Sequence, residues 1–272
     1  MRNVLFFKAT LLFYFLGTAL FLFTLWEQGG TQYKGNKVSW SQKLAVFVTG
    51  VGFLCHTVAL VIRLKEAGFI PLTNPQEAIS FFAWANVLAF FWVEFKYNLH
   101  ILGSFILPLA FLSLISAAAL SGEIPTLNPT LSNTWLGIHT LLSILGIVAF
   151  TIAFIAGIVY LLQDRFLKSK QLNTLYSRLP SLDMLDQWNK KAILLGFPLL
   201  TLGIISGALW SHFTLGTLWG ANNSKQALSL GVWFFYLLVL HGRITIGWRA
   251  KKAARLAIIG FVGVIFIFVT LA

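Results

Sequence analysis

The chain is poor in charge, and poorest in acid. Only 10% of its 272 residues are charged, 20 Lys or Arg against 8 Asp or Glu. An average soluble domain carries about 25%. So few charges cannot give a globule of this size a water-compatible surface, which excludes an ordinary soluble enzyme. With 58% of residues hydrophobic, a disordered chain is excluded too. Cysteine is almost missing: Cys55 stands alone, so no internal disulfide forms and a disulfide scaffold is ruled out. There is no P-loop, no H-E-x-x-H, no G-x-S-x-G and no C-x-x-C, so no catalysis of its own is expected. No internal repeat and no low-complexity tract stand out.

What the chain has is long apolar runs. A spanning helix needs roughly 20 mostly apolar residues. Eight runs qualify, at about 4–26, 44–63, 78–95, 100–120, 134–162, 193–213, 228–247 and 256–272. Backbone groups find no water in lipid, and these runs are continuous rather than alternating, so helices are expected and a β-barrel is not. The expected fold is all-α, a polytopic membrane helix bundle of about eight transmembrane helices in one integral-membrane domain, 1–272. The first run is too long for a signal-peptide core and is followed by Glu27-Gln28-Gly29-Gly30, not a small-residue cleavage site, so it reads as a retained helix.

The net charge of +12 would suit a nucleic-acid partner, but its distribution argues against one. One set of inter-run segments holds Lys34, Lys37, Lys43, Lys96, Arg165, Lys168, Lys170, Arg178, Lys190, Lys191, Arg243, Arg249, Lys251, Lys252 and Arg255, which is 15 of the 20 cations. Basic loops mark the cytoplasmic side. Both termini are therefore expected outside and the loop at 163–192 inside, in contact with membrane lipid. Within that loop Ser181 is a natural N-cap, and Leu182, Leu185 and Trp188 fall at helical spacing, so a short helix on the membrane surface is expected. The loop is either a connector held by anionic lipid or a docking site for a cytoplasmic partner. The outer loop at 214–227 puts Trp219 between Gly216 and Gly220, as part of the interfacial aromatic belt or as a platform for a flat apolar ligand. Gly203-Ile-Ile-Ser-Gly207 has the spacing of a close helix-packing face.

Five histidines lie within or at the ends of the runs: His56, His100, His139, His212 and His241. Ionisable groups in a membrane are costly and mark function by default. His100, at an inner helix start, is expected to meet water. Zinc would want three or four clustered ligands, and a proton relay a chain of acids, whereas Glu94 is the sole acid inside a run and sits at its end. Imidazole is a natural axial ligand of haem iron, and haem suits a chain rich in His and aromatics. The anionic propionates could pair with Arg63 or Lys225 on the outer side, or with Arg243 on the inner side. Each histidine can equally be a hydrogen-bonded packing residue.

A set of motifs resembles the CcsA/HemX superfamily of cytochrome c assembly membrane proteins over about residues 52 to 260. His56 to Arg63, then Pro71-Leu72-Thr73-Asn74 and Glu77, is similar to that family's early His…Arg…Pro-Leu-x-Asn…Glu stretch. Ile138-His139, Leu179-Pro180-Ser181-Leu182-Asp183, Gly196-Phe197-Pro198 and Gly203 to Trp210 are similar to its middle part, and Leu240-His241-Gly242-Arg243 to its Leu-His-x-Arg. The tryptophan-rich outer loop departs from the family form: Asn223, Ser224 and Gln226 stand for Asp, Pro and Glu, and no histidine follows His241. Gly247-Trp248-Arg249 with Ala253 and Arg255 looks closer to the compact HemX-like branch. The resemblance implies a multi-pass protein of a bacterial plasma (inner) membrane that binds, translocates or presents haem b at the outer face. It implies an outer site of His139 with Trp219 and a transmembrane site of His56 with His241, with Arg63 and Arg243 near the haem and His139 and His241 as iron ligands. The alternative is a non-catalytic regulator or scaffold, whose inner loop would bind a tetrapyrrole-synthesis enzyme or a cytochrome c assembly partner protein.

Overall fold

The computed structural model describes residues 2–30, 39–67, 70, 72, 74–120, 134–170, 175–176, 179–218 and 223–271. Among these residues there is no strand, and the long helices are α1 (Arg2–Gly30), α2 (Trp40–Ala67), α3 (Pro75–Tyr97), α4 (Gly103–Ala119), α5 (Thr134–Lys168), α6 (Leu182–Leu215), α7 (Asn223–Ile244) and α8 (Ala250–Leu271). Helices α1 to α7 are long and apolar enough to cross a membrane. Helix α8 contains residues 256–271 of the eighth apolar run. The protein is a polytopic helical membrane protein, as the apolar runs require.

Helix ends follow local chemistry. Asn74 caps α3, its Oδ1 accepting from the Glu77 backbone N–H at 2.8 Å, and Pro75 fills the first position, where no N–H is needed. Ser181 caps α6 as expected, its Oγ accepting from the Met184 N–H at 3.2 Å. The short surface helix does not stop after Trp188, however. No breaker lies between Trp188 and Ile193, so the helix runs on as one 34-residue element through Pro198 to Gly216, whose φ of 71° ends it. The inner connection expected at 163–192 narrows accordingly, because α5 reaches Lys168 and α6 begins at Leu182.

The chain falls into two units. The first comprises Met1–Glu123 and Phe166–Pro180; the second comprises Ile124–Arg165 and Ser181–Ala272. Helices α1 to α4 build the first around buried Tyr14, Phe21, Phe90, Leu107 and Leu114. In the second, Phe150 stacks on Tyr236 with ring centroids 3.6 Å apart, and Phe154 lies against Phe261. Lys251 of α8 pairs with Asp164 of α5 at 2.8 Å.

Each unit contains the same clamp. In the first, Trp84 of α3 donates from Nε1 to Thr57 Oγ1 of α2 at 3.0 Å, Thr57 donates to the Phe53 carbonyl at 2.8 Å, and the Trp84 ring stacks on Phe53 at 5.5 Å. In the second, Trp233 of α7 donates to Thr201 Oγ1 of α6 at 2.9 Å, Thr201 donates to the Phe197 carbonyl at 2.8 Å, and Trp233 stacks on Phe197 at 5.5 Å. The expectation of no internal repeat is therefore corrected: a local repeat exists, hidden in sequence because uniformly apolar surroundings give it no contrast.

Candidate functional site

The structure sorts the histidines by what their ring nitrogens touch. His139 lies one turn into α5, partly buried. Its Nδ1 is 2.7 Å from the Gly203 carbonyl of α6. A carbonyl only accepts, so the proton sits on Nδ1 and Nε2 keeps its lone pair. No hydrogen-bond partner of Nε2 is found among the described residues. The close approach depends on missing side chains. A Cβ on Gly207 would lie 2.5 Å from His139 Nδ1, and one on Gly203 2.5 Å from Ser143 Oγ. Further down the same contact, a Cβ on Gly146 would meet the Leu200 backbone nitrogen at 2.9 Å. The Gly203-x-x-x-Gly207 face thus packs closely on a neighbour, as its spacing predicts, and the neighbour carries His139.

His241 reaches a similar state by a different route. It is exposed in the last turn of α7. Thr245 Oγ1 donates to the His241 backbone carbonyl at 2.5 Å, which uses the hydroxyl proton, so the same oxygen can only accept from His241 Nδ1 at 3.1 Å. The proton is again on Nδ1 and the Nε2 lone pair is available. Gly242 beside it is needed for space: a Cβ there would fall 2.5 Å from the Trp248 ring, which folds back after Gly247 (φ 68°) and carries Lys252 Nζ 3.7 Å from a ring centroid.

His56 differs from both. It is fully buried, with Nδ1 3.2 Å from the Tyr14 hydroxyl and Nε2 3.0 Å from Ser80 Oγ. Both nitrogens are occupied, so His56 ties α1, α2 and α3 of the first unit together. His212 is exposed, with its ring against Phe213. His100 does not simply meet water. Asn98, in the left-handed conformation at φ 51°, reverses the chain after α3, and the following turn (His100–Leu102) brings His100 Nδ1 onto the buried Glu94 carboxylate. That pair was invisible in sequence, because only the reversal at Asn98 brings the two residues together.

The arginines expected near propionates already have protein partners. Arg63 Nε donates to Glu77 at 2.8 Å. Arg243, buried on α7, donates from Nη1 to Asn189 Oδ1 at 2.8 Å and from Nη2 to Asp186 Oδ1 at 2.5 Å. Asn189 passes the link on by donating to the Ala153 carbonyl of α5 at 2.8 Å. Three helices of the second unit thus meet at Arg243. Its side chain, the last of the Leu-His-x-Arg motif, is a structural cross-brace. Trp219 lies outside the described residues.

A family model described as Cytochrome C assembly protein matches residues 72–271. The chain is 31% identical over 242 residues to the "Cytochrome c biogenesis protein CcsA" of Guillardia theta, covering 80% of this chain and 80% of that protein. It is 28% identical over 258 residues to the protein of the same name from Pyropia yezoensis, covering 80% and 81%. It is 29% identical over 264 residues to that of Microcystis aeruginosa, covering 79% and 80%. These relatives add nothing to the HemX-like placement suggested by Gly247-Trp248-Arg249.

Proposed function

Because this chain belongs to the cytochrome c assembly protein family, we propose that it is a membrane component of cytochrome c biogenesis that handles haem, and that His139 would hold the haem iron through its Nε2. The observation that carries the reading is the His139 tautomer. A histidine that donates from Nδ1 to a backbone carbonyl has its ring orientation fixed and its Nε2 basicity raised, the arrangement that suits a metal-ligating imidazole. Bound haem supplies a Lewis-acidic iron for that nitrogen. The protein's own contribution is to hold the ring rigid on a glycine-lined helix face. His241, with the same protonation pattern, is the second candidate ligand. His56 would have to release Tyr14 or Ser80 before it could bind iron, so its part in a transmembrane site requires that opening. Arg63 and Arg243 support the helices that carry the ligands. Trp219 is proposed to flank the outer site on the resemblance alone.

The finer assignments belong to the same reading. The cargo is haem b, the membrane is the plasma membrane of a bacterium with both termini outside, and an assembly partner protein receives or delivers the haem. The test is purification in mild detergent and an absorbance spectrum. A Soret band in the wild type that is lost in His139→Ala supports the reading; no band in the wild type, or an unchanged band in the variant, sinks it.

A further inference from the structure

Helix α8 has two faces of different chemistry. One carries Ala253, Ala254, Ala257 and Gly260, all buried in the second unit. A Cβ on Gly157 of α5 would lie 2.8 Å from the Ala254 carbonyl oxygen, and one on Gly260 2.9 Å from the Tyr236 ring, so this face docks closely on α5 and α7. The opposite face is turned out. Lys252, Arg255, Ile259, Val262 and Phe266 are all exposed. At 3.6 residues per turn they fall within about 80° of one another around the helix axis. Along the axis this face changes once, from charged to apolar. From Arg255 to Phe266 the helix rises about 16 Å, close to the hydrocarbon depth of one leaflet, which is half of about 30 Å.

The charged end is held in place by the turn before it. Gly247, at φ 68°, reverses the chain between α7 and α8. The Trp248 N–H donates to the Gly242 carbonyl at 3.0 Å, and the indole lies over Gly242, where a Cβ would stand 2.5 Å from it. The ring in turn holds Lys252 Nζ 3.7 Å from a ring centroid. Arg249 stands at the start of α8, where its carbonyl accepts from the Lys252 and Ala253 N–H groups at 3.0 and 3.2 Å. The counter-charges at this end are already used. Asp164 pairs with Lys251 and Asp186 with Arg243, and no Asp or Glu follows Asp186 in the sequence. Among the described residues no carboxylate contacts Arg249, Lys252 or Arg255.

We propose that the outward face of α8 binds an anionic phospholipid, its phosphate held by Arg249, Lys252 and Arg255 and an acyl chain laid along Ile259, Val262 and Phe266. Charge complementarity selects the headgroup. Three cations with no carboxylate attract a net negative lipid, whereas a zwitterionic headgroup brings an ammonium that they repel. The stripe selects a lipid over a soluble anion. A free anion uses only the charged end, and a phospholipid uses both ends at the spacing of its own structure. The inference stands whether or not the chain holds haem.

The test uses the full chain purified in mild detergent, with bound lipid counted by native mass spectrometry. The lipids are dioleoyl phosphatidylglycerol, dioleoyl phosphatidylcholine and the short-chain dihexanoyl phosphatidylglycerol. The wild type is expected to bind the long-chain anionic lipid about tenfold more tightly than the zwitterionic one. In the double variant Lys252→Gln/Arg255→Gln the preference is expected to fall to within about twofold. Lys190→Gln/Lys191→Gln removes two exposed cations of α6 and should keep the preference. The short-chain lipid carries the same headgroup and is expected to bind about tenfold more weakly than the long-chain one, because it buries less apolar surface. No preference in the wild type, or the same loss in both double variants, overturns the inference. Equal binding of the two chain lengths overturns it in favour of a soluble anion. Binding of none of the three lipids overturns it in favour of a protein partner on this face.

Discussion

His139 and Gly203 are joined across two helices by one hydrogen bond of 2.7 Å, from the imidazole Nδ1 to the backbone carbonyl. The same carbonyl also accepts from Ser206 Oγ at 2.8 Å. A histidine at the start of a spanning helix is thereby given one protonation pattern and one ring direction. The glycine spacing on α6 is what lets the ring come so near.

The first prediction concerns that spacing. Gly207→Ala puts a methyl 2.5 Å from His139 Nδ1, so the ring must move off its carbonyl. Haem affinity by Soret titration is expected to fall about tenfold, the order of one buried neutral hydrogen bond, while helical circular dichroism is retained. Gly231→Ala is the control. Nothing lies within 4 Å of its added methyl, so haem affinity should not change. Equal behaviour of the two variants would remove the glycine bed from the account of the site.

The second separates a ligand from a packing histidine. His56→Ala leaves the Tyr14 hydroxyl and Ser80 Oγ without their buried partner and opens a cavity. Destabilisation of roughly 3 kcal/mol is expected from these losses. Thermal unfolding in detergent should show it, while the folded fraction keeps its Soret band. A His56→Ala protein as stable as wild type but colourless would reverse the roles assigned to His56 and His139.

A third follows from the cross-brace at Arg243. The guanidinium side chain is 4% exposed and the Asp186 carboxylate 31%. Removing the acid leaves a buried cation with only neutral partners, whereas removing the arginine leaves an acid that can reach water. Asp186→Ala is therefore expected to cost more than Arg243→Met, with a difference on the order of 1–2 kcal/mol after allowing for the exposure of Asp186. Denaturant titration of the two proteins measures it. The opposite order would mean that the packing of the arginine stem, not its charge, braces the helices.

The helices were legible in sequence because apolar runs of spanning length leave the backbone no other choice. Ser181 was legible as a cap, and Gly203 with Gly207 as a close-packing face, because both signals are local. The extent of α6 was misjudged for the complementary reason: Asn189, Lys190 and Lys191 look like a loop by polarity, yet none of them breaks a helix. Within the candidate site, His139 was named as an iron ligand only through the family resemblance, since the bond that fixes its ring runs to a carbonyl, and carbonyls carry no sequence sign. The partner of Arg243 lies 57 residues away, beyond any local pattern. The repeat around Trp84 and Trp233 was missed because it does not rise above an apolar background. Matching hydrogen bonds make it evident.

The last prediction tests whether the repeated clamp is one device used twice. Thr57→Val and Thr201→Val each keep shape but remove the hydroxyl that accepts from a tryptophan N–H, at 3.0 Å and 2.9 Å respectively. Each leaves an indole N–H without its partner in an apolar environment, which costs about 1–3 kcal/mol. Both threonines are half-buried and both hydroxyls donate to a phenylalanine carbonyl four residues back, so the valine also relieves the same small backbone competition in each. The two losses should therefore agree within about 0.5 kcal/mol, the scatter expected for equivalent sites. Unfolding of each single variant by denaturant in the same detergent gives the comparison. A cost in one unit three times that in the other would show that the two clamps share geometry without sharing a role.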